Sequence, residues 1–264
     1  MRPSKLWPRI FVDGDLFIEG FLGLTWCPSA EAKAARDKWE NSVDNLIGVL
    51  TKKHVGWAVM KALHDSGHTL TIVPNPSKDC NATTYPESAQ DAAKKGKEAE
   101  HCSKEAKGSN LGTGKGTSSK ITFSPGQWVK NGQCAVGAAG RDGDEILLHE
   151  MCHAMRYAAG MRTSCFETPV GFGDYEELVA VTITNVFSSE TNRTLRRDHE
   201  GFAALPATTG LFSKGKKVQV NLHDPQTFCN WFRPQMENIA KSHRAFSSYL
   251  ASKKFIRWNP FAYV

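Results

Sequence analysis

Residues 142–160 constrain the fold more than any other part of this chain, because both ends and the middle of the segment carry structural signals. Asp142 is followed three residues later by Glu145, which is the spacing of a helix capping box. Gly160 supplies the left-handed residue at which many helices end. The sequence therefore predicts a helix with both ends defined.

The middle of this helix reads His149-Glu150-Met-Cys-His153, the HExxH pattern. Helical spacing places the two imidazoles one turn apart on one face, about 5–6 Å from each other, which suits chelation of one Zn²⁺ ion. Glu150 follows the first ligand directly and can accept a proton from a water that the metal activates. We expect His149 and His153 to be zinc ligands and Glu150 to be the catalytic base.

A third ligand is expected from a second helix, predicted over residues 173–187 with Asp174 as its cap. Glu176 and Glu177 lie in its first turn and point about a hundred degrees apart, so only one of them can face the metal. The glycine and third histidine of the metzincin pattern do not follow His153, and that subclass is excluded.

Glu177 has the small residue Ala180 three positions later, whereas Glu176 has Val179. In this the chain resembles the gluzincin group of zinc metallopeptidases, in which a glutamate on a downstream helix completes HExxH. The resemblance implies that Glu177 is the third zinc ligand, with Glu176 as the alternative.

A wider resemblance covers roughly residues 118–264. It rests on the strand at 121–124, the HEMCHAMR helix, the EELVAV helix, the Leu195-Arg-Arg-Asp-His199 segment and the terminal FIRWNPF run. This order is similar to bacterial effector metallopeptidases, the toxin domains of type III and type VI secretion systems. It implies hydrolysis of peptide bonds in a protein substrate of a target cell, with an immunity or delivery protein as a further partner.

Other polar residues are candidates for supporting roles. His199 is expected to stabilise the oxyanion that forms opposite the metal. Three side chains compete with it for that role: Tyr157, Tyr175 and His223. Asn185 or Asp144 could orient a ligand imidazole.

The remaining pattern predicts an α+β, zincin-like fold in which a small antiparallel sheet packs on the HExxH helix. A hairpin is expected around Asp13-Gly14 in residues 9–19, then helices over 29–53 and up to 66, and strands over 68–73 and 120–124. We expect one domain, 1–264, with a hairpin and helical part at 1–76, a flexible insertion rich in Lys, Gly and Ser at 77–119 and a catalytic core at 120–264.

Composition excludes several classes of protein. The chain has 264 residues, 40% of them hydrophobic, which suits a globular core. Its net charge of +6 is thinly spread and the lysines of the insertion are interleaved with acids and lack aromatics, so no nucleic-acid partner is expected. No apolar run approaches the ~20 residues of a membrane span.

The first residues contain basic side chains but no apolar core of a signal peptide. We expect secretion by a route independent of a signal peptide, or otherwise a cytoplasmic location in the producer. The seven cysteines form no CxxC pair, and an odd number leaves at least one thiol free in a monomer. A disulfide is possible among Cys80, Cys102 and Cys134, whereas Cys152 is expected to be a buried thiol.

Two other functions fit the same residues. One is a zinc hydrolase that acts on a different amide, such as a cell-wall peptide, with the same catalytic groups. The other is a non-catalytic basic binding module, in which HExxH would be an accidental helix face.

Overall fold

The computed structural model describes residues 1–15, 30–77, 79–95, 112–134, 137–163, 171–199, 201–213 and 216–264. The strands in these ranges are β1 (Arg2–Pro3), β2 (Ile10–Val12), β3 (Leu70–Val73), β4 (Thr83–Pro86), β5 (Ser119–Thr122), β6 (Thr209–Ser213) and β7 (Lys216–Val220). The α-helices are α1 (Ala30–Thr51), α2 (His54–Asp65), α3 (Ala89–Ala92), α4 (Gly143–Ala158), α5 (Tyr175–Glu190), α6 (Pro225–Trp231), α7 (Arg233–Ser242) and α8 (Arg244–Ala251). The α+β class is confirmed.

The main sheet has five strands in the order β1-β2-β3-β5-β4. Its three central strands, β2, β3 and β5, run parallel, and only the edge strands β1 and β4 are antiparallel to their neighbours. The expected antiparallel sheet is therefore wrong at its centre. The reason is that α1 and α2 connect β2 to β3, and a helical crossover of this kind joins parallel strands.

The strand register places one row of side chains on the same face of the sheet. Val12 pairs with Ile72, Ile72 with Ile121, and Ile121 with Thr84. The three aliphatic side chains are fully buried, and Thr84 is buried too. This row of buried side chains is therefore aliphatic on the three central strands and ends at the Thr84 hydroxyl on the edge strand β4.

The predicted hairpin at 9–19 is not formed as expected. β2 pairs with β1, which precedes it, and the Asp13 N–H donates to Ile72 O at 2.9 Å, so that the parallel ladder continues. The Gly14 N–H donates to Glu40 Oε1 at 3.2 Å instead of closing a tight turn. Residues 16–19 lie outside the described part of the chain.

The other predicted elements are confirmed, with small differences at their ends. The first helical stretch forms α1 and α2, and the predicted strands and the two downstream helices appear as β3, β5, α4 and α5. Ser29, the expected cap of α1, lies outside the described residues. Gly67, at φ +83°, follows the end of α2 and separates His64 from His68.

Part of the 77–119 segment has regular structure. β4 and α3 lie within it, and its last residue begins β5. Ala82, Thr84 and Ala92 are buried, although the segment contains few large apolar residues. Small side chains suffice here because backbone hydrogen bonds to β5 hold β4 in the sheet. Lys78 and residues 96–111 are outside the described ranges.

Helix α4 lies at the centre of the packing, in contact with α1, α2, α5, β4 and β5. All of its residues from Asp144 to Ala158 are buried. Its polar side chains therefore need partners inside the protein.

None of the described helices is long and apolar enough to cross a membrane.

A disulfide joins Cys80, just before β4, to Cys134, in the segment that leads to α4. Cys152 is a buried free thiol, as expected, and Cys229 is another. Burial raises the pKa of the Cys152 thiol well above its ordinary value. Cys102 lies outside the described residues.

Removal of this disulfide is expected to destabilise the protein. The cross-link spans 54 residues of sequence, and a loop of that size corresponds to about 4 kcal/mol of lost chain entropy in the unfolded state. Cys80→Ser with Cys134→Ser should lower the free energy of unfolding by about 2–5 kcal/mol in denaturant titrations. Cys229→Ser is the control: dithiothreitol should still lower its stability, as in wild type, whereas it should not affect the double variant. A double variant with the same free energy of unfolding as wild type would contradict the prediction.

Candidate metal centre

Helix α4 places His149 and His153 one turn apart, facing the same side. Their Nε2 atoms lie 3.2 Å apart and their ring centroids 5.0 Å apart. The helix begins where the sequence predicts, with the Asp142 N–H donating to Glu145 Oε2 at 3.2 Å. It is followed by Gly160 at φ +61°, where an added Cβ would lie 2.5 Å from the backbone of Gly114. The local sequence therefore fixes the length of the helix that carries both imidazoles.

Helix α5 brings Glu177 to the same point. Its Oε2 lies 3.0 Å from Nε2 of His149, and its Oε1 lies 3.4 Å from Nε2 of His153. The Asp174 side chain caps α5 by accepting from the Glu177 N–H at 3.0 Å. The cap sets the start of the helix, and with it the direction in which the Glu177 side chain points.

These donor atoms fit a zinc ion in spacing and in kind. The two Nε2 atoms lie 3.2 Å apart, and each lies 3.0–3.4 Å from a different oxygen of the Glu177 carboxylate. These spacings are close to the edge of about 3.3 Å that a tetrahedron with bonds of 2.0–2.1 Å has. Two imidazoles and a carboxylate are a ligand set that zinc enzymes use. One feature departs from the common pattern: Nδ1 of His149 is buried and has no hydrogen-bond partner among the described residues.

Glu176, the alternative ligand, is committed elsewhere. Its carboxylate accepts from Arg156 Nε at 2.7 Å and Nη2 at 2.9 Å, and from the Thr163 N–H at 2.8 Å. Arg156 is fully buried, and its guanidinium also donates to the carbonyl of Met161. Neighbouring glutamates thus have separate duties: Glu176 neutralises a buried arginine, and Glu177 faces the two histidines.

Glu150 lies in the same cleft, next to His149 in the chain. The Thr84 hydroxyl, on β4, donates to Glu150 Oε2 at 2.6 Å and lies 3.0 Å from its carbonyl oxygen. Both residues are buried. A side chain from the edge of the sheet therefore orients the expected base.

His199 also reaches this centre. Its Nε2 lies 3.2 Å from Glu177 Oε2, and its ring stacks on that of His149 with centroids 5.7 Å apart. One ligand atom each from His149, Glu177 and His199 lies within 4.8 Å of the others. The His199 side chain is 43% exposed, far more than the two histidines of α4. It can therefore contact a substrate or approach a bound metal.

The three residues that were alternatives to His199 for stabilising the oxyanion differ in whether they line the cleft. Tyr157 lines the cleft, with its ring stacked on His153 at 6.4 Å between centroids. The Tyr175 hydroxyl lies 3.1 Å from Gln235 O and from Asn238 Oδ1, on the side of α7. His223 lies 2.8 Å from Leu205 O and lines a different cavity. Of the three, Tyr157 alone lines this cleft.

Neither residue suggested as an orienting partner of a ligand imidazole takes that position. Asp144 binds the Arg193 guanidinium with both oxygens, at 2.7 and 2.9 Å. Asn185 holds the backbone of Arg196: its Nδ2 donates to Arg196 O, and its Oδ1 accepts from the Arg196 N–H, both at 2.7 Å. Both residues support loops beside the site.

The electrostatics of the centre favour an ionised carboxylate. Burial raises the pKa of Glu177, but the hydrogen bonds and charges of His149 and His153 outweigh burial and hold that pKa well below its usual range. Burial lowers the pKa of His153, and Glu177 outweighs it and raises the pKa to about 9. For His199, burial dominates and lowers the pKa. Glu177 is thus anionic, as a metal ligand must be.

The centre lies in a cleft of about 470 Å³, which is within the size range of ligand-binding pockets. Besides the metal-centre residues its walls include Thr84, Trp128, Arg162, Arg196 and Phe202. Phe202 has φ +55°, a left-handed conformation that costs energy for a bulky side chain. Strain of this kind clusters at functional sites.

Sequence reasoning missed Thr84, Arg156 and Arg196. Thr84 lies in the segment that composition assigned to an insertion. Arg156 lies three residues after His153 on the same predicted helix and could have been recognised as a partner for one of the two adjacent glutamates. Nothing in the local sequence distinguishes Arg196 from Arg197.

Comparisons with known proteins do not assign this chain to a family. A scan against protein-family models finds no match, and searches of curated proteins and of solved structures also find no significant match.

Breaking the Arg156–Glu176 pair is expected to be strongly destabilising. Arg156→Met leaves a buried carboxylate without its cation and should lower the free energy of unfolding by about 3–5 kcal/mol. Adding Glu176→Leu to that variant should recover much of the loss, because neither charge is then left alone. Lys61→Met, which removes an exposed pair with Asp65, is the control and should cost less than about 1 kcal/mol. Equal losses for Arg156→Met and Lys61→Met would contradict the prediction.

His243, between α7 and α8, makes stability depend on pH. Burial and the charge of Arg156 lower its pKa to about 3, so the unfolded chain takes up the proton first as the pH falls below about 6.5. Wild type should therefore lose stability between pH 6.5 and 4 more steeply than His243→Leu, by up to about 1.4 kcal/mol per pH unit. Urea titrations at several pH values measure the two slopes, and parallel curves would refute the assignment.

Proposed function

We propose that this protein is a zinc-dependent peptidase. The observation that carries the proposal is the convergence of His149, His153 and Glu177, with donor atoms 3.0–3.4 Å apart, beside a buried glutamate in an open cleft. These residues would hold the metal with three protein ligands and leave a position for solvent, the arrangement of catalytic rather than structural zinc sites.

Each side chain of the centre has a distinct task in this proposal. Zinc, when bound, supplies Lewis acidity toward the scissile carbonyl and the attacking water. Glu150 accepts the proton of that water and delivers it to the nitrogen of the leaving amine. Thr84 positions Glu150, and this hydrogen bond fixes which carboxylate oxygen stays available for proton transfer.

His199 is proposed to donate a hydrogen bond to the carbonyl oxygen as that oxygen becomes negatively charged. Its Nε2 is within 3.2 Å of Glu177, and its exposure allows contact with substrate. Its pKa is lowered by burial, so that the ring can be neutral and carry the donor proton on one nitrogen.

We further propose a zincin-like arrangement for the fold. Support comes from the antiparallel edge strand β4, which contacts the HExxH helix, and from a second helix that supplies the acidic ligand. The parallel pairing of β2, β3 and β5 differs from the antiparallel sheet that we expected for such a fold.

The proposed setting is a toxin or effector that acts on a protein in a target cell. The sequence resemblance to secreted effector peptidases supports it. The Cys80–Cys134 disulfide supports it as well, because such bonds persist in oxidising compartments outside the cytosol. An immunity or delivery protein would then be a partner.

Metal content and cleavage test the proposal together. Elemental analysis should find one zinc per chain in wild type and in Glu150→Gln, and little in His149→Ala or Glu177→Ala, which lose a ligand. Cleavage of a peptide library, followed by mass spectrometry, should fall by about 10²–10⁴-fold in Glu150→Gln, because only the proton transfer is removed.

Two further variants sharpen this test. His223→Ala removes a histidine that lies outside the cleft and should keep both zinc and cleavage. His199→Ala should keep zinc and lose turnover if this side chain acts on the substrate. Absence of zinc in reconstituted wild type, or full activity of Glu150→Gln, would overturn the proposed function.

A further inference from the structure

Arg196 is a buried arginine in the wall of the cleft. It is 4% exposed and lines the same cavity as His149, Glu150 and His153. No described carboxylate oxygen lies within the 4.0 Å of an ion pair from its guanidinium. Three acids, Glu177, Asp198 and Glu145, influence its charge through space, and Asp198 is itself paired with Arg197 at 2.5 Å.

An arginine of this kind is costly to the fold. A buried cation normally has an anionic partner, since desolvation of an isolated charge costs more than the fold recovers. Two neighbouring arginines follow this rule: Arg156 binds Glu176, and Arg193 binds Asp144. Arg196 does not, and its Nε is buried with no hydrogen-bond partner among the described residues.

The surroundings hold Arg196 firmly in place. Asn185 clamps its backbone through two hydrogen bonds of 2.7 Å. The guanidinium carbon lies 4.0 Å from the centroid of the Phe202 ring, and Nη2 donates to the carbonyl of His199. A guanidinium that stacks on an aromatic ring, has a fixed backbone and keeps Nε without a partner among the described residues is preorganised to bind a planar anion such as a carboxylate.

A second arginine, which is partly exposed, also lines the cleft. Arg162 contacts the ring of Tyr157, with its guanidinium carbon 5.8 Å from the ring centroid, and makes no ion pair within the described ranges. The cleft thus presents two positive groups to a substrate, in addition to any bound metal. Opposite charge in a substrate would be attracted to such walls.

We propose that Arg196 binds a carboxylate of the substrate, so that the enzyme cleaves peptides that carry a glutamate or aspartate near the scissile bond. This inference rests on the proposed peptidase function and specifies its substrate class. Arg196 is a specificity residue in this proposal: it contacts the substrate and takes no part in proton transfer.

A purely structural role for Arg196 makes a different prediction. If the side chain only holds the His199 segment, its loss lowers the cleavage of all peptides alike. If it binds a carboxylate, its loss lowers the cleavage of acidic peptides selectively. The ratio of kcat/KM between a glutamate peptide and its glutamine isostere therefore separates the two roles.

The test uses matched fluorogenic peptides in which glutamate or glutamine is placed in turn at three positions on each side of the cleaved bond. Wild type should prefer glutamate over glutamine at one position by about 10- to 100-fold, the effect of a charged hydrogen bond. Arg196→Met should reduce that ratio to about one, and Arg196→Lys should retain part of it. Arg141→Met is the control, because Arg141 contacts the same Phe202 ring as Arg196, and Trp128 as well, without lining the cleft.

Zinc content and thermal unfolding of each variant verify that the protein is folded and loaded. Fluorescence anisotropy of the same peptides on zinc-loaded Glu150→Gln, with and without Arg196→Met, gives a measure of binding that needs no turnover. Glutamate peptides should bind tighter only when Arg196 is present.

The outcomes separate the two proposals. Cleavage without a glutamate preference, or a preference that survives in Arg196→Met, overturns the carboxylate site and leaves the peptidase function standing. If no peptide is cleaved, the peptidase proposal fails, and the anisotropy ratio decides the carboxylate site: an Arg196-dependent preference for glutamate supports it, and equal binding of both peptides overturns it.

Discussion

The buried pair between Arg156 and Glu176 fixes how the two central helices meet. Arg156 belongs to α4, which is buried along nearly its whole length, and Glu176 lies in the first turn of α5. Once these two residues are joined, the next residue of α5 points about a hundred degrees away, toward the histidines of α4. The cluster of His149, His153 and Glu177 therefore depends on a structural ion pair one helix position away from Glu177, the proposed acidic ligand.

This arrangement explains why a chain would carry two adjacent glutamates at such a place. A single glutamate could bind the arginine or the proposed metal, but not both. Two other charges beside the cleft are also neutralised, since Arg156 is paired with Glu176 of α5 and Arg193 with Asp144 of α4. Arg196 is buried without such a pair among the described residues, which is why we interpret it as a ligand-binding group.

The predictable parts of this molecule are those encoded within one helix or strand. The caps of α4, the HExxH spacing and the choice of Glu177 depend on residues a few positions apart. The parallel centre of the sheet and the Thr84–Glu150 contact depend on strand order, which periodicity does not encode. Composition did not predict a strand at residues 83–86, because composition reports only how large and apolar the side chains are. This edge strand is held in the sheet by its backbone hydrogen bonds.

The cleft joins parts of the chain that have little in common in sequence. One wall is the stretch from Cys80 to Thr84, which the disulfide to Cys134 ties to the segment leading into α4. Another part of the wall carries Arg196, whose backbone is clamped by α5. These two parts are thus anchored, by a covalent bond or by buried hydrogen bonds, to the segment before α4 and to α5; α4 and α5 are the helices that carry the proposed metal ligands. In our proposal, the cross-link and the amide clamp preserve the distance from the metal centre to each part of the wall, and that distance contributes to the choice of substrate.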